Sequence, residues 1–457
     1  MKTILKHTGV AIALAGLSAG ATYAQAKTNS IDGRWDAALV RPNGETVPFR
    51  LDISGDGNSV KGTFYNGFKP FDSTTSGSFQ NGELTLRIDH YLTSIHAKLN
   101  GDQLAGDVAT LNRASTGAYA FKAVRHADVK DTASNAPQIA GDYIIPLETP
   151  SAKGEKAFHF VVEQRGPEVA ATILRVDGDT GAFTGTFHDG KFRLSHFDGS
   201  RPGVIEVTPQ ADGTLVVEQN PGSKPAAAAE TKTATTKAYG EEPPVDSRYT
   251  PKLVAYKESV ALAKGLPQPE NYSTHTTVRD PNEAFKFNFP DVNGKLVSSD
   301  DPRFKGKVVV AVVTGTWCPN CHDEAQYLVQ LDKKYRDKGL AIVALDFEEP
   351  EQQASLEREK AFVKQYGVDY TYLIAGAPAE MWEKVPQAVN LNTWPATLFV
   401  GRDGRVKSVH SGFASPASGK FNDELKAEFT AQIEKLLAEN QTQTASLGIH
   451  VEHEGGQ

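Results

Sequence analysis

Cys318 and Cys321 are the only cysteines in a chain of 457 residues, and they stand together in "TGTWCPNCH". At the Cys-x-x-Cys spacing two thiols form a dithiol/disulfide centre. With His322 included the same letters become Cys-x-x-Cys-His, the attachment pattern of a c-type haem. Zinc is a third possibility, but two thiolates lack the second pair of ligands that a tetrahedral site needs. A pair this close in sequence closes too short a loop to stabilise a fold, so its purpose is chemical rather than structural.

The choice between these chemistries depends on the compartment. "MKTILKHTGVAIALAGLSAGATYAQA" places Lys2 and Lys6 ahead of an apolar run from Gly9 to Ala21, followed by Ala24-Gln25-Ala26, the pattern of a cleavable signal peptide over residues 1–26. The run falls short of the roughly 20 apolar residues that span a bilayer, so cleavage is expected rather than anchoring. The expectation is a soluble exported protein, most simply periplasmic. Such a protein could hold several disulfides as staples, yet this chain keeps one cysteine pair. The formal net charge is −8, and removing Lys2 and Lys6 makes it −10. An acidic chain without basic clusters points away from nucleic acid and anionic membrane surfaces as partners.

The elements that must position the sulfurs can be read along the chain. From Ile31 to Asn220 period-two alternation, as in "TVPFRLDIS" and "KAFHFVVEQ", is punctuated by Asn81-Gly82, Asp189-Gly190 and Asp212-Gly213, which is the signature of short antiparallel strands. Gly33, Gly77, Phe79, Gly82 and Leu86 recur as Gly141, Gly185, Phe187, Gly190 and Leu194 at a constant offset of 108, and Phe49, Gly57, Val60 and Thr63 recur at 109. Two related all-β repeat modules, each a barrel or sandwich, are therefore expected at 27–130 and 136–220. Each opens with Gly-x-aromatic, Gly33-Arg-Trp35 and Gly141-Asp-Tyr143, a pattern similar to that of lipocalin-like barrels. Residues 221–245 read as a flexible linker, 246–275 as a helical lead-in, 276–440 as an α/β domain and 441–457 as a disordered tail. In the α/β domain "KVVVAVVTG" is a buried parallel strand, "CHDEAQYLVQLDKKYRDKG" a helix, "LAIVALDF" a second strand, and "TWPATLFVGRDGRVKSVHSGF" a hairpin about Asp403-Gly404.

Together "TWCPNC" and, farther on, "TWPATLFV" before a Gly-Arg-Asp-Gly turn resemble the thioredoxin superfamily over Thr276 to Leu437, and "NFPDVNGKLVSSDDPRFKGKVVVAVVTGTWCPNCHDEAQYL" resembles its TlpA/ResA-type branch, the redoxins. The resemblance implies a thioredoxin-like fold and a thiol-disulfide oxidoreductase without a cofactor. Cys318 is then the nucleophile at a helix N-terminus and Cys321 the buried resolving thiol. Pro395 matches the family's cis-proline, and Trp317 and Trp394 flank the sulfurs as substrate-contacting residues. Thioredoxins keep a buried Asp six residues before the first cysteine, where this chain has Val312; Glu324, one turn after Cys321, is the expected proton acceptor instead, as in ResA-type proteins.

On this reading His322 is an exposed first-turn residue, and no haem is expected: a strand precedes Trp317, and apart from the initiator the only methionine is Met381, in another segment. The expected partners are client proteins with disulfides and, because the compartment favours disulfides, a membrane electron donor of the DsbD kind. Two rivals stand beside this reading. A peroxiredoxin-like thiol peroxidase would want Thr or Ser where the chain has Gly315. A β-module binding protein with an accessory redox domain would make the repeat modules the functional part.

Overall fold

The computed structural model describes residues 30–41, 43–112, 115–127, 135–200, 202–221, 252–353 and 355–447. The expected signal peptide 1–26, almost all of the expected linker 221–245 and the last part of the expected tail lie outside the described residues.

The first module is one antiparallel sheet. Its strands lie in the spatial order Lys69–Ser73, Lys61–Asn66, Thr46–Ser54, Gly33–Val40, Ser115–Arg125, Gln103–Asn112, Thr93–Asn100, Glu83–Ile88 and Ser76–Gln80. The sheet curls until its ends approach: Gly57 bridges to Phe79, and the Val60 N–H donates to the Gly77 carbonyl at 3.2 Å. Alternation sets which face is inside, with Val47, Phe49, Leu51 and Ile53 of Thr46–Ser54 buried and their neighbours turned outward.

The second module is a closed barrel. Its strands are Gly141–Pro146, Ala157–Arg165, Glu168–Leu174, Phe183–His188, Lys191–His196, Gly203–Pro209, Leu215–Gln219 and Leu253–Lys257. The last of these pairs with both Leu215–Gln219 and Gly141–Pro146 and so removes the open edges. It falls within 246–275, the stretch expected as a helical lead-in, where only Glu258–Ala263 and Tyr272–His275 are helical. Locally "LVAYK" suits either period; pairing with two distant edges decides for the strand, burying Leu253 and Ala255 and leaving Val254 36% exposed. Phe197 of the barrel enters the core of the first module, edge-on to Phe49 at 4.9 Å, so the two modules pack together.

The sequence repeat is also a repeat of geometry. Gly33 and Gly141 take φ values of 129° and 134°. The Trp35 indole donates to the Ile31 carbonyl at 3.0 Å, and the Tyr143 hydroxyl donates to the Ile139 carbonyl at 2.8 Å. Over these rings lie the Arg125 guanidinium at 4.5 Å and the Lys257 ammonium at 4.2 Å, each paired across the strands with the aromatic residue it covers.

The C-terminal part is thioredoxin-like. Its sheet runs Thr371–Gly376, Leu340–Phe347, Val308–Thr314, Ala396–Val400 and Val406–Ser411, the first three parallel and the last two antiparallel. Every residue of Val308–Thr314 is buried, as a central strand covered on both faces requires. The helices Pro319–Tyr335, Glu357–Tyr366 and Lys420–Leu447 pack against it. The last helix runs on to Leu447, so the first part of the expected disordered tail 441–457 is helical, as a continuation of the long helix from Lys420.

The barrel closure predicts opposite outcomes at adjacent positions. Ala255→Glu places a carboxyl in the barrel interior and should lower unfolding stability by roughly 3 kcal/mol or more, whereas Val254→Glu should be tolerated within about 1 kcal/mol. Denaturant unfolding of both variants checks this; equal effects would remove the strand assignment.

Candidate active site

The fully buried strand Val308–Thr314 delivers the chain to Gly315, where a Cβ would stand 2.4 Å from the Trp317 indole nitrogen, so only glycine fits without moving that ring. The same contact closes the position to the hydroxyl residue that a thiol peroxidase would want. Thr316 is then fixed from several sides. Its hydroxyl accepts from Arg358 Nε at 2.9 Å and donates to Glu348, and its carbonyl accepts from His322 Nε2 at 2.7 Å. Arg358, 1% exposed, also holds Glu348 and, at 2.8 Å, Glu349 Oε2. Trp317 donates from its indole to the Phe347 carbonyl at 2.9 Å and meets Trp394 edge-on at 5.1 Å.

Cys318 is the N-cap of the helix Pro319–Tyr335, with Pro319 in the first turn. The positive end of the helix dipole favours a thiolate at Sγ. Sγ lies 3.4 Å from the carbonyl of Trp394, whose peptide bond to Pro395 is cis. One turn along, Cys321 is 1% exposed. Burial first, and then the adjacent Cys318, push its thiol well above the ordinary range.

Glu324 faces the same small internal gap as Cys321, together with Val312, Thr314, Tyr370 and Tyr372. The helix thus brings a carboxyl to the space beside Val312, the strand position where thioredoxins keep their Asp. Glu324 is 1% exposed; burial raises its pKa to about 8, opposed by the hydroxyl of Thr397, which donates to it, and reinforced by the charge of Cys318. The expected residues Cys318, Cys321, Glu324, Pro395, Trp317 and Trp394 therefore converge on one place.

His322 does not conform to its expected exposure. It is 1% exposed, bonded through Nδ1 to the Tyr366 hydroxyl at 2.8 Å, and stacked under Tyr91 at 4.2 Å. Burial first, then neighbouring His90, lowers its pKa to about 3, which keeps the ring neutral and leaves no charge to support a thiolate. Both ring nitrogens are engaged within the protein, so the ring is not presented to a haem iron.

Several residues at the site carry no local sequence signal. Asp72 of the first module binds His90 at 3.0 Å and accepts from Tyr366 at 3.2 Å. Asn320, between the cysteines, donates to the Asp177 carbonyl at 2.6 Å and accepts from the Thr180 N–H at 2.9 Å, so the barrel grips the Cys-x-x-Cys loop. Asp346, Glu348 and Glu359 bring carboxylate oxygens within 4.8 Å of one another beneath the site. Burial raises Asp346 well above its usual range and Glu359 to about 7, and Glu348 is occupied by Arg358 and Thr316.

Residues 279–425 match the family model described as Redoxin. Over 124 residues the chain is 32% identical to thiol-disulfide oxidoreductase ResA of Bacillus anthracis, covering 27% of this chain and 65% of that protein. It is 28% identical over 136 residues to ResA of Bacillus subtilis strain 168, covering 30% and 69% respectively. The chain thus spans 65% of the length of the first-matching of these relatives. Among solved structures it is similar to a thiol:disulfide interchange protein of the thioredoxin family from Chlorobium tepidum TLS, 25% identical, covering 35% of this chain and 99% of that one with a TM-score of 0.27.

The raised pKa of Glu324 sets a stability signature. Between pH 4.5, the ordinary carboxyl value, and about 8, the native state holds a proton that the unfolded chain has released. Stability contributed by this group therefore falls as pH rises through that window, by about 1.4 kcal/mol per unit. The wild type should lose stability relative to Glu324→Gln across the window in denaturant titrations; parallel curves would rule out a buried, raised carboxyl.

Proposed function

We propose, from the redoxin domain of the TlpA/ResA type that occupies residues 279–425, that the chain is a thiol-disulfide oxidoreductase, exported through a cleavable signal peptide, that reduces disulfides of periplasmic client proteins. The observation that carries the reading is the placement of Cys318 Sγ at a helix N-cap, with Cys321 one turn inside beside Glu324.

The Cys318 thiolate attacks one sulfur of a client disulfide. A bond forms between Sγ and that sulfur, the client S–S bond breaks, and the second client sulfur leaves as a thiolate that takes a proton. Glu324, in its carboxylate form, which is the minor one below about pH 8, accepts the proton of Cys321 directly or through a water. Cys321 then attacks Cys318 Sγ, closing the Cys318–Cys321 disulfide and releasing the first client sulfur. Two electrons have passed from the chain to the client; of the two protons its sulfurs take up, one comes from Cys321 by way of Glu324 and the other from solvent. A dithiol donor resets the pair, dithiothreitol in an assay and a membrane donor of the DsbD kind in the periplasm. The binding-protein alternative gains nothing from the barrel, whose interior is filled by Tyr143, Phe158, Phe160, Phe192 and aliphatic neighbours.

With dithiothreitol the purified chain should reduce insulin without any haem absorbance. Cys318→Ala should abolish turnover, and Cys321→Ala should leave a trappable mixed disulfide with the client. A Soret band, or faster capture of client by Cys321 than by Cys318, would overturn the assignment.

Glu324→Gln keeps the shape and removes the base. Release of the mixed disulfide should slow by roughly ten- to a thousandfold near neutral pH while the initial attack changes much less. Stopped-flow separation of the two steps measures this, and unchanged release would remove Glu324 from the mechanism.

A further inference from the structure

Cys318 is 3% exposed and Cys321 1% exposed, although the first of them has to meet a sulfur carried by another molecule. A loop of the barrel packs on the segments next to them. The loop Asp177-Gly178-Asp179-Thr180 lies across the two segments that border the sulfurs, the first turn of the cysteine helix and the stretch Gly412–Ser418 that follows the sheet's last strand. On the helix side both ends of the Asn320 amide are taken by Asp177 and Thr180 backbone. On the other side Gly178 forms a parallel bridge with Phe413, and Asp179 accepts from the Ser415 N–H at 2.9 Å and from the Ser418 hydroxyl. Gly412, which donates to the Pro395 carbonyl at 2.8 Å, ties that stretch to the cis-proline.

The fit is backbone against backbone. A Cβ at Gly178 would stand 2.4 Å from the Phe413 carbonyl oxygen and 2.6 Å from Asn320 Cγ, and one at Gly412 would stand 2.2 Å from the Val176 carbonyl. An extended chain adding to a sheet-like edge makes contacts of this kind, main-chain hydrogen bonds with close approach. At the loop itself the seam is polar, held by Asn320, Asp177, Asp179 and Ser415, while Leu174 at the end of the preceding strand packs among apolar side chains around Phe413, so a local opening of the loop needs only the polar contacts to part.

We propose that the Asp177–Thr180 loop is a built-in occupant of the client groove, so that disulfides borne by folded proteins reach Cys318 only when the loop is displaced, and the β modules rather than the redoxin domain determine which disulfides are accepted. The inference rests on the oxidoreductase reading above. Small disulfides and flexible disulfide-bearing segments are the substrates favoured by the closed form.

The test uses the full chain and two loop variants, Gly178→Leu, which cannot occupy the present fit, and Asp179→Ala, which releases the Ser415 and Ser418 anchors. In a Cys321→Ala background, iodoacetamide alkylation of Cys318 should be slower in the native chain than in denaturant by roughly a hundredfold, and each variant should speed it by roughly tenfold or more. With both cysteines present, reduction of insulin should rise by roughly tenfold or more in the variants, and reduction of glutathione disulfide by clearly less. Native alkylation within about threefold of the denatured rate, which needs no variant, would overturn the proposal. So would variants of unchanged thermal unfolding whose alkylation and insulin rates equal those of the wild type. If Cys318 becomes accessible in the variants yet no form reduces either disulfide, the loop is a cover and the oxidoreductase reading is the one that fails.

Discussion

A thiol that must lose its proton while buried is the constraint around which the C-terminal part is built. In water a carboxylate is a poor base for a thiol, about 4 pKa units too weak, roughly 6 kcal/mol uphill. Burial makes the thiol harder to ionise, but the same burial raises the carboxyl, and Glu324 at about 8 is a far better match than an exposed glutamate. Placing acid and base in one buried gap therefore raises both together. The helix Pro319–Tyr335 supplies the thiol one turn inside and the base one turn further, while its N-terminus stabilises the opposite charge state at Cys318.

Beneath this helix a second buried arrangement fixes the approach. Arg358 joins Thr316, Glu348 and Glu349 in a network without solvent exposure. Such ion pairs return little net stability after desolvation, and their value is positional. The consequence is local: the residue two before Cys318 is held through its side chain, and its carbonyl is held by His322.

What the sequence made legible was local. The spacing of Cys318, Cys321 and Glu324 is helical spacing, alternation marks the strands, and the repeat offset marks two related modules whose Gly33 and Gly141 share a positive φ. What it hid was carried by contacts between distant segments. His322 looks like a first-turn surface residue until Tyr91, from a turn in the first module, stacks on it. Asn320 looks like a spacer between cysteines until residues 140 and 143 positions away bind the two ends of its amide. The strand Leu253–Lys257 was concealed because its short alternation is ambiguous alone and its partners lie on either side of a long intervening stretch.

That closing strand bears on how the molecule can be divided. A fragment ending at residue 221 would keep seven barrel strands and leave the edges of Leu215–Gln219 and Gly141–Pro146 unpaired, while a fragment beginning at 246 would carry the missing strand attached to the redoxin domain. Unpaired edges are templates for other chains, so the first fragment is prone to aggregation. The two halves are therefore covalently interleaved: the piece that completes the barrel is joined, in sequence, to the domain whose Cys-x-x-Cys loop the barrel holds through Asn320. In synthesis from the N-terminus the barrel stays open until that strand has emerged, which couples its completion to the start of the redox domain's own folding.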